Sequence, residues 1–184
     1  MKQLFTITTA IAMIILTMGA NAQSKKTAAK GVRWSFGAEA GVPVGKFNTP
    51  AQWNLGGSIQ ADFNVAKRVL FITANTGYNN FFTESGVKGD VQMIPVKAGL
   101  KYFPAKNFYL QGEAGVSFLT SKDKNQADKS ASFVYAPQVG YLIPLGKRNY
   151  LDAGIRFESN SKFYDNGSQA NFLGLRVAYA FNSK

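Results

Sequence analysis

The sequence predicts an all-β chain, folded as an eight-stranded antiparallel up-and-down transmembrane β-barrel. Three observations carry that prediction. Apolar residues recur with period two in eight successive runs, the breaks between runs alternate short and long, and the chain opens with an export signal. The composition agrees. Apolar residues make up 46% of the 184 positions and aromatics 14%, too rich for disorder, while charged residues make up only 17%. The absence of Cys and His removes disulfides, thiolate or imidazole metal sites, Cys nucleophiles and any mechanism with an imidazole base.

The first segment is a targeting label. Lys2 supplies a positive start, Ile11 to Met18 lies in an apolar run too short to span a bilayer, and Ala20-Asn21-Ala22 fits the small-x-small cleavage rule. Residues 1–22 therefore read as a cleaved signal peptide, and 23–30 as a short polar linker. The barrel domain runs from 31 to 184, with no further domain expected after it. No Cys follows the apolar run, which excludes a lipoprotein anchor, and no later stretch is long and apolar enough for a transmembrane helix.

Each run then places apolar residues on one face and polar or small residues on the other. The first sets Trp34, Phe36, Ala38, Ala40 and Val42 against Arg33, Ser35, Gly37, Glu39 and Gly41. The second sets Leu55, Ile59, Ala61, Phe63 and Val65 against Ser58, Gln60 and Asp62; the third sets Leu70, Ile72, Ala74 and Tyr78 against Thr73, Asn75 and Asn79. The fourth alternates Ile94, Val96, Ala98, Leu100 and Tyr102 with Lys97, Gly99 and Lys101, and the fifth Phe108, Leu110, Ala114, Val116 and Phe118 with Gln111, Glu113 and Ser117. In the sixth, Phe133, Tyr135, Val139, Tyr141 and Ile143 oppose Gln138 and Gly140. In the seventh, Leu151, Ala153, Ile155 and Phe157 oppose Asp152, Arg156 and Glu158; in the eighth, Leu173, Leu175, Val177, Tyr179 and Phe181 oppose Gly174 and Arg176. Runs of about ten residues match a tilted membrane-crossing strand.

Short breaks fall at Lys67-Arg68, Lys106-Asn107 and Gly146 to Asn149. Longer polar ones start at Lys46, Thr83, Ser121 and Phe163. An even strand count puts both chain ends on the short-turn side, which in an outer membrane is the periplasm. Pro95 and Pro137 fall inside runs, where a missing N–H predicts a bulge or a strand end. The loop aromatics Phe47, Trp53, Phe81, Phe82, Phe163 and Tyr164 read as an extension of the outer girdle.

Alternation alone leaves open which face is inside, since a soluble calycin-like barrel binding a lipid or other apolar ligand has the reverse arrangement. Three features favour polar-inside. Glycines concentrate on the polar face, where an eight-stranded lumen has room for few long side chains. The charges on that face balance: Arg33, Lys97, Lys101, Arg156 and Arg176 against Glu39, Asp62, Glu113, Asp152 and Glu158. Aromatics collect at the ends of the apolar face. Trp34, Phe63, Tyr102, Phe108, Tyr141, Tyr179 and Phe181 fall toward the short turns, and Tyr78, Phe118, Phe133 and Phe157 toward the long loops, as two interfacial girdles would.

On the residues GAEAGV in the first run, MIPVKAGLKYF in the fourth and LGLRVAYAF in the last, the chain resembles the small eight-stranded outer-membrane barrels. These are the class of the OmpA transmembrane domain and OmpX, and the likeness is strongest to the PorT-like outer-membrane β-barrel domains of Bacteroidetes. The resemblance covers Gly31 to Phe181. It implies that Tyr179 and Phe181 form the aromatic pair read by the barrel-assembly machinery. Arg176 stands where that signal usually has glycine, and Gly174 lies two residues earlier.

The net charge of +11 is unevenly placed under this topology. The short-turn side carries Lys25, Lys26, Lys30, Lys67, Arg68, Lys106, Lys147, Arg148 and Lys184 without an acid. On the loop side, Lys46, Lys88, Lys122, Lys124, Lys129 and Lys162 are offset by Glu84, Asp90, Asp123, Asp128 and Asp165. The basic side suits outer-membrane lipid headgroups or an acidic periplasmic partner. A basic pI without a motif is no sign of nucleic-acid binding. No cofactor or metal is expected, because the loop acids lack calcium-loop spacing. The functional expectation is a non-enzymatic integral outer-membrane protein with a charge-plugged lumen, in envelope integrity, adhesion or an envelope assembly. A gated ion path, or a lateral opening at Pro137 for an apolar ligand, are the minor alternatives. Asp152 and Glu158, six residues apart on one strand face, are separated by about 20 Å and cannot share acid–base work.

Overall fold

The computed structural model describes residues 31–45, 51–66, 69–83, 90–120, 130–161 and 169–183. The expected leader and linker, Lys67-Arg68, Lys184 and most of the long connections, with Phe47, Phe163 and Tyr164, lie outside them. The strands are β1 (Val32–Val44), β2 (Ala51–Ala66), β3 (Leu70–Thr83), β4 (Val91–Tyr102), β5 (Phe108–Leu119), β6 (Ala131–Pro144), β7 (Asn149–Asn160) and β8 (Ala170–Asn182). Each pairs antiparallel with its sequence neighbours, and β8 returns to β1, closing the barrel. Closure removes the sheet edges that would otherwise expose unpaired N–H and C=O groups to lipid.

The ladders fix the stagger. Followed from strand to strand, Trp34 pairs with Ala61, then Ala74, Ala98, Ala114, Tyr135, Ser159, Asn171 and finally Val44. One circuit thus moves from residue 34 to residue 44 of β1, a stagger of ten residues. Ten residues at about 3.3 Å each, on strands tilted about 40°, climb about 25 Å, or about 3 Å per strand. On that scale Trp34, Phe63, Tyr102, Phe108, Tyr141, Tyr179 and Phe181 all lie within about 3 Å of one level. The loop-end aromatics are more dispersed, from Phe157 at about 14 Å above that level to Phe118 at about 22 Å.

The apolar phase of every strand faces outward. Leu100, Val96, Ile155, Leu175 and Phe133 are each at least half exposed, and Ala61 is the outward residue that its neighbours cover. The polar phase is buried in the lumen. The soluble alternative requires the opposite and finds no support.

Three expectations need correction. Pro95 and Pro137 lie in mid-strand, and neither marks a bulge or an end. The β3–β4 and β6–β7 registers are the same on both sides of them, and only each proline's own rung and the one next to it are missing. The absent N–H costs a local rung while the opposite ladder continues, through Pro95 with Ser117 and Pro137 with Gly112. The register shifts occur instead at the two ends of β2, between Ala51 and Trp53 and between Asn64 and Ala66. Trp53 and Phe82 belong to strands, not loops, and their rings stack 4.0 Å apart on the outer face. Phe81, expected in the outer girdle, points into the lumen and is fully buried.

Candidate functional site

The lumen is the chemically dense region, and the ten charged side chains among its described residues all find partners of opposite sign. Eight of them form one chain that alternates in sign from the short-turn mouth to mid-barrel. Arg33 Nη1 lies 3.7 Å from Asp62 Oδ2, and Lys101 Nζ lies 3.2 Å from the same oxygen. Lys101 reaches Asp152 at 3.1 Å, and Asp152 lies 3.5 Å from Arg176. Arg176 Nε lies 3.3 Å from Glu39, which accepts from Arg156 Nη1 at 3.0 and 3.1 Å. Arg156 Nη2 ends the chain 3.6 Å from Glu113. Lys97 and Glu158 form a separate pair. Lone ions at such depth would each cost several kcal/mol, so the alternation is what permits their burial.

Neutral groups complete the arrangement. Tyr109 Oη donates to Asp152 at 2.5 Å and accepts from Gln138 Nε2 at 2.5 Å. Gln138 Oε1 accepts from Arg156 Nε at 2.8 Å, joining the two halves of the chain of charges. Arg176 also donates to Ser58 and Ser35, each at 3.0 Å, and Thr73 donates to Glu113 at 3.0 Å. Gln60 and Gln111 meet across the barrel. Glycine makes these contacts possible. A Cβ at Gly154 would stand 2.7 Å from Gln138 Nε2 and 2.9 Å from Tyr109 Oη, and one at Gly140 would strike the Tyr109 ring.

Both ends of the lumen are apolar. At the short-turn mouth Phe71, Phe103, Tyr109 and Leu142 pack together. The Arg33 guanidinium sits 4.8 Å from the Phe71 ring centre, 5.4 Å from Tyr150 and 5.7 Å from Phe103, while its Nε donates to Asn182 of β8. At the loop end Phe81, Met93, Leu119, Ala170 and Phe172 form a second cluster, with Phe81 and Phe172 edge to face at 5.2 Å.

Sequence reasoning missed these clusters and Tyr109. The signal was present as a break in alternation. Phe71, Phe81, Met93, Tyr109, Leu119, Leu142 and Phe172 each stand next to an outward apolar residue, so the pattern doubles at strand ends. Such doublets place a hydrophobe on the inward phase where the lumen closes.

The outer side chains sit apart from this network. Tyr179 is exposed beside half-buried Phe181, their rings 6.2 Å apart, and Phe36 stacks on Phe181 at 6.2 Å. Asp152 joins the lower part of the network and Glu158 pairs with Lys97, so the structure does not bring these two carboxylates together. Among the described residues, no group of acids is placed to hold a metal ion.

A closed eight-stranded barrel with an apolar exterior and ion pairs within is the architecture of a small outer-membrane barrel protein. The chain belongs to the outer membrane protein β-barrel domain family, whose model matches residues 8–181. Among solved structures it is similar to Neisserial surface protein A (TM-score 0.60, 13% identity, covering 86% of this chain and 99% of that one). It is also similar to Ail, the attachment invasion locus protein of Yersinia pestis (TM-score 0.53, 14% identity, covering 82% and 99%). At these identities the likeness is one of fold. A search of curated proteins finds no match.

Proposed function

We propose that this outer-membrane protein is a non-enzymatic barrel with a closed lumen, that both its termini lie in the periplasm, and that it acts through its outer loops in surface adhesion or an envelope assembly. The observation that carries this reading is the filled lumen. The alternating charges occupy its lower and middle levels, and apolar clusters cap both ends. Carboxylates held by Arg and Lys are poor general bases, and His and Cys are absent from the chain. With no work for the interior to do, the long loops and the rim become the surfaces that meet partners. The names of the two similar proteins, one a surface protein and one an attachment protein, support the adhesion reading. The alternation of short and long connections supports periplasmic termini. Tyr179 and Phe181 on the closing strand remain the pair we assign to the assembly machinery, and the level ring from Trp34 to Phe181 the interfacial anchor.

Planar-bilayer recording tests the closed lumen. The purified protein is expected to give no resolved conductance steps, and a steady open channel would overturn the reading. Because the chain has no Cys, topology can be read with single introduced thiols. An impermeant maleimide on intact cells should label Ser130→Cys on the loop side and leave Gly146→Cys in the β6–β7 turn unlabelled. The reverse pattern would invert the orientation.

A further inference from the structure

The short-turn rim carries cations for which no acid partner stands among the described residues. Lys106 in the β4–β5 turn and Lys147 and Arg148 in the β6–β7 turn are all exposed. The first turn is tied to β6, the strand that leads into the second, since Leu142 N–H donates to Asn107 O at 2.8 Å, and the second turn is tied to the end of β8 by Asn182 N–H donating to Arg148 O at 3.0 Å. The nearest acids, Asp62 and Asp152, are buried and already engaged with Arg33, Lys101 and Arg176. Directly above the turns stand Tyr102, Phe108 and Tyr141, with Asn107 Nδ2 donating to the Tyr141 hydroxyl at 3.5 Å. Aromatics at one level mark the edge of the hydrocarbon, and cations one turn beyond it stand at the height of lipid phosphates.

We infer that the rim formed by Lys106, Lys147 and Arg148 is a binding surface for the phosphate headgroups of anionic phospholipid in the inner leaflet of the outer membrane. The assignment rests on the reading that this end faces the periplasm. Charge complementarity selects the occupant: nine bases and no acid fall on the short-turn side of the sequence, whereas the loop side is nearly neutral. Two turns each hydrogen-bonded to a neighbouring strand distinguish this surface from scattered lysines. The aromatic shelf suits a ligand with an acyl chain beside its phosphate.

The test is native mass spectrometry of the folded protein in detergent with equal phosphatidylglycerol and phosphatidylcholine. The wild type is expected to retain about tenfold more of the anionic lipid. The variant Lys106→Gln/Lys147→Gln/Arg148→Gln should lose that preference, while Lys122→Gln/Lys124→Gln/Lys129→Gln, in the connection between β5 and β6, should keep it. Faster gel mobility of unboiled sample confirms that each variant is folded, and single substitutions at Lys106 and Arg148 should each give a partial loss. Equal retention of both lipids by the wild type overturns the inference, as does a preference that survives the triple rim variant or falls equally in the loop variant. Retention of a polyglutamate peptide without lipid preference overturns it in favour of an acidic protein partner. The lipid measurement does not depend on orientation and the thiol labelling does, so failure of the topology and failure of the lipid site are told apart.

Discussion

The inner and outer faces of this barrel are alternate residues of the same eight strands, yet their side chains are held by different means. On the inner face Glu39 has two arginines, Asp152 has Lys101, Arg176 and Tyr109, and Tyr109 lies against Gly140. Each of these groups fits one geometry, because the lumen is narrow and a lost partner leaves a buried charge or donor unpaired. On the outer face Leu100, Ile155 and Leu175 meet lipid. Lipid chains adapt to whatever apolar shape is offered, so the outer residues are constrained in polarity and hardly in shape. The inside is specified by pairing and the outside by solvent.

Deleting one inner charge breaks the contrast most sharply. Glu39→Ala leaves Arg156 with only the longer contact to Glu113 and Arg176 with only Asp152 as acid partners. Removing one member of a buried ion set costs about 3–5 kcal/mol. Reversible denaturant unfolding in lipid vesicles, followed by tryptophan fluorescence, should show a loss of that size. A loss below about 1 kcal/mol would mean that water reaches the network. The next largest effect is expected from a charge added on the other side. Ala98 faces outward near mid-height, and Ala98→Arg should cost about 2–4 kcal/mol in the same assay. A neutral result would show that position 98 is not in contact with hydrocarbon.

The outer face was the more legible of the two in the sequence. Period-two alternation gives strand phase without knowledge of partners, and connection lengths give the order of strands. The count of five acids and five bases on one phase states that they balance, but not who meets whom. That depends on the ten-residue stagger, which brings Lys101 of β4 to Asp152 of β7 across the lumen. Stagger is a property of closure and leaves no mark in any single run. The proline expectation failed for a related reason. A missing N–H affects one ladder only, and Pro95 and Pro137 each keep a continuous ladder on the other side. Phe81 is misassigned because the third run is ended at Asn79, where two successive asparagines break the alternation, so Phe81 is grouped with the loop although β3 continues to Thr83.

Neutral members of the inner network should show an intermediate effect. Tyr109→Phe keeps the ring against Phe103 and over the glycines and removes only the hydroxyl, which donates to Asp152 and accepts from Gln138. The expected loss is about 1–3 kcal/mol, the cost of leaving buried partners unmet. It should vanish when combined with Asp152→Ala/Gln138→Leu, because the acceptor and the donor that meet the hydroxyl are then gone. Additive losses in that cycle would show that the hydroxyl is not coupled to them.

The smallest expected effect isolates what a neighbour's shape contributes when polarity is held constant. Leu142 lies in the mouth cluster at 3% exposure, and Leu100 faces lipid at 54%. Truncation to Ala removes the same atoms from each. Leu142→Ala leaves a space that Phe71, Phe103 and Tyr109 can only partly fill, so a cavity cost adds to the transfer cost. At Leu100→Ala the neighbouring acyl chains move in, and the transfer cost stands alone. The inner substitution should therefore exceed the outer one by about 1–2 kcal/mol, a gap set by rigidity and not by hydrophobicity. Equal losses would mean that the mouth cluster relaxes as freely as lipid, and the distinction between a paired interior and a solvated exterior would then hold only for the charged groups.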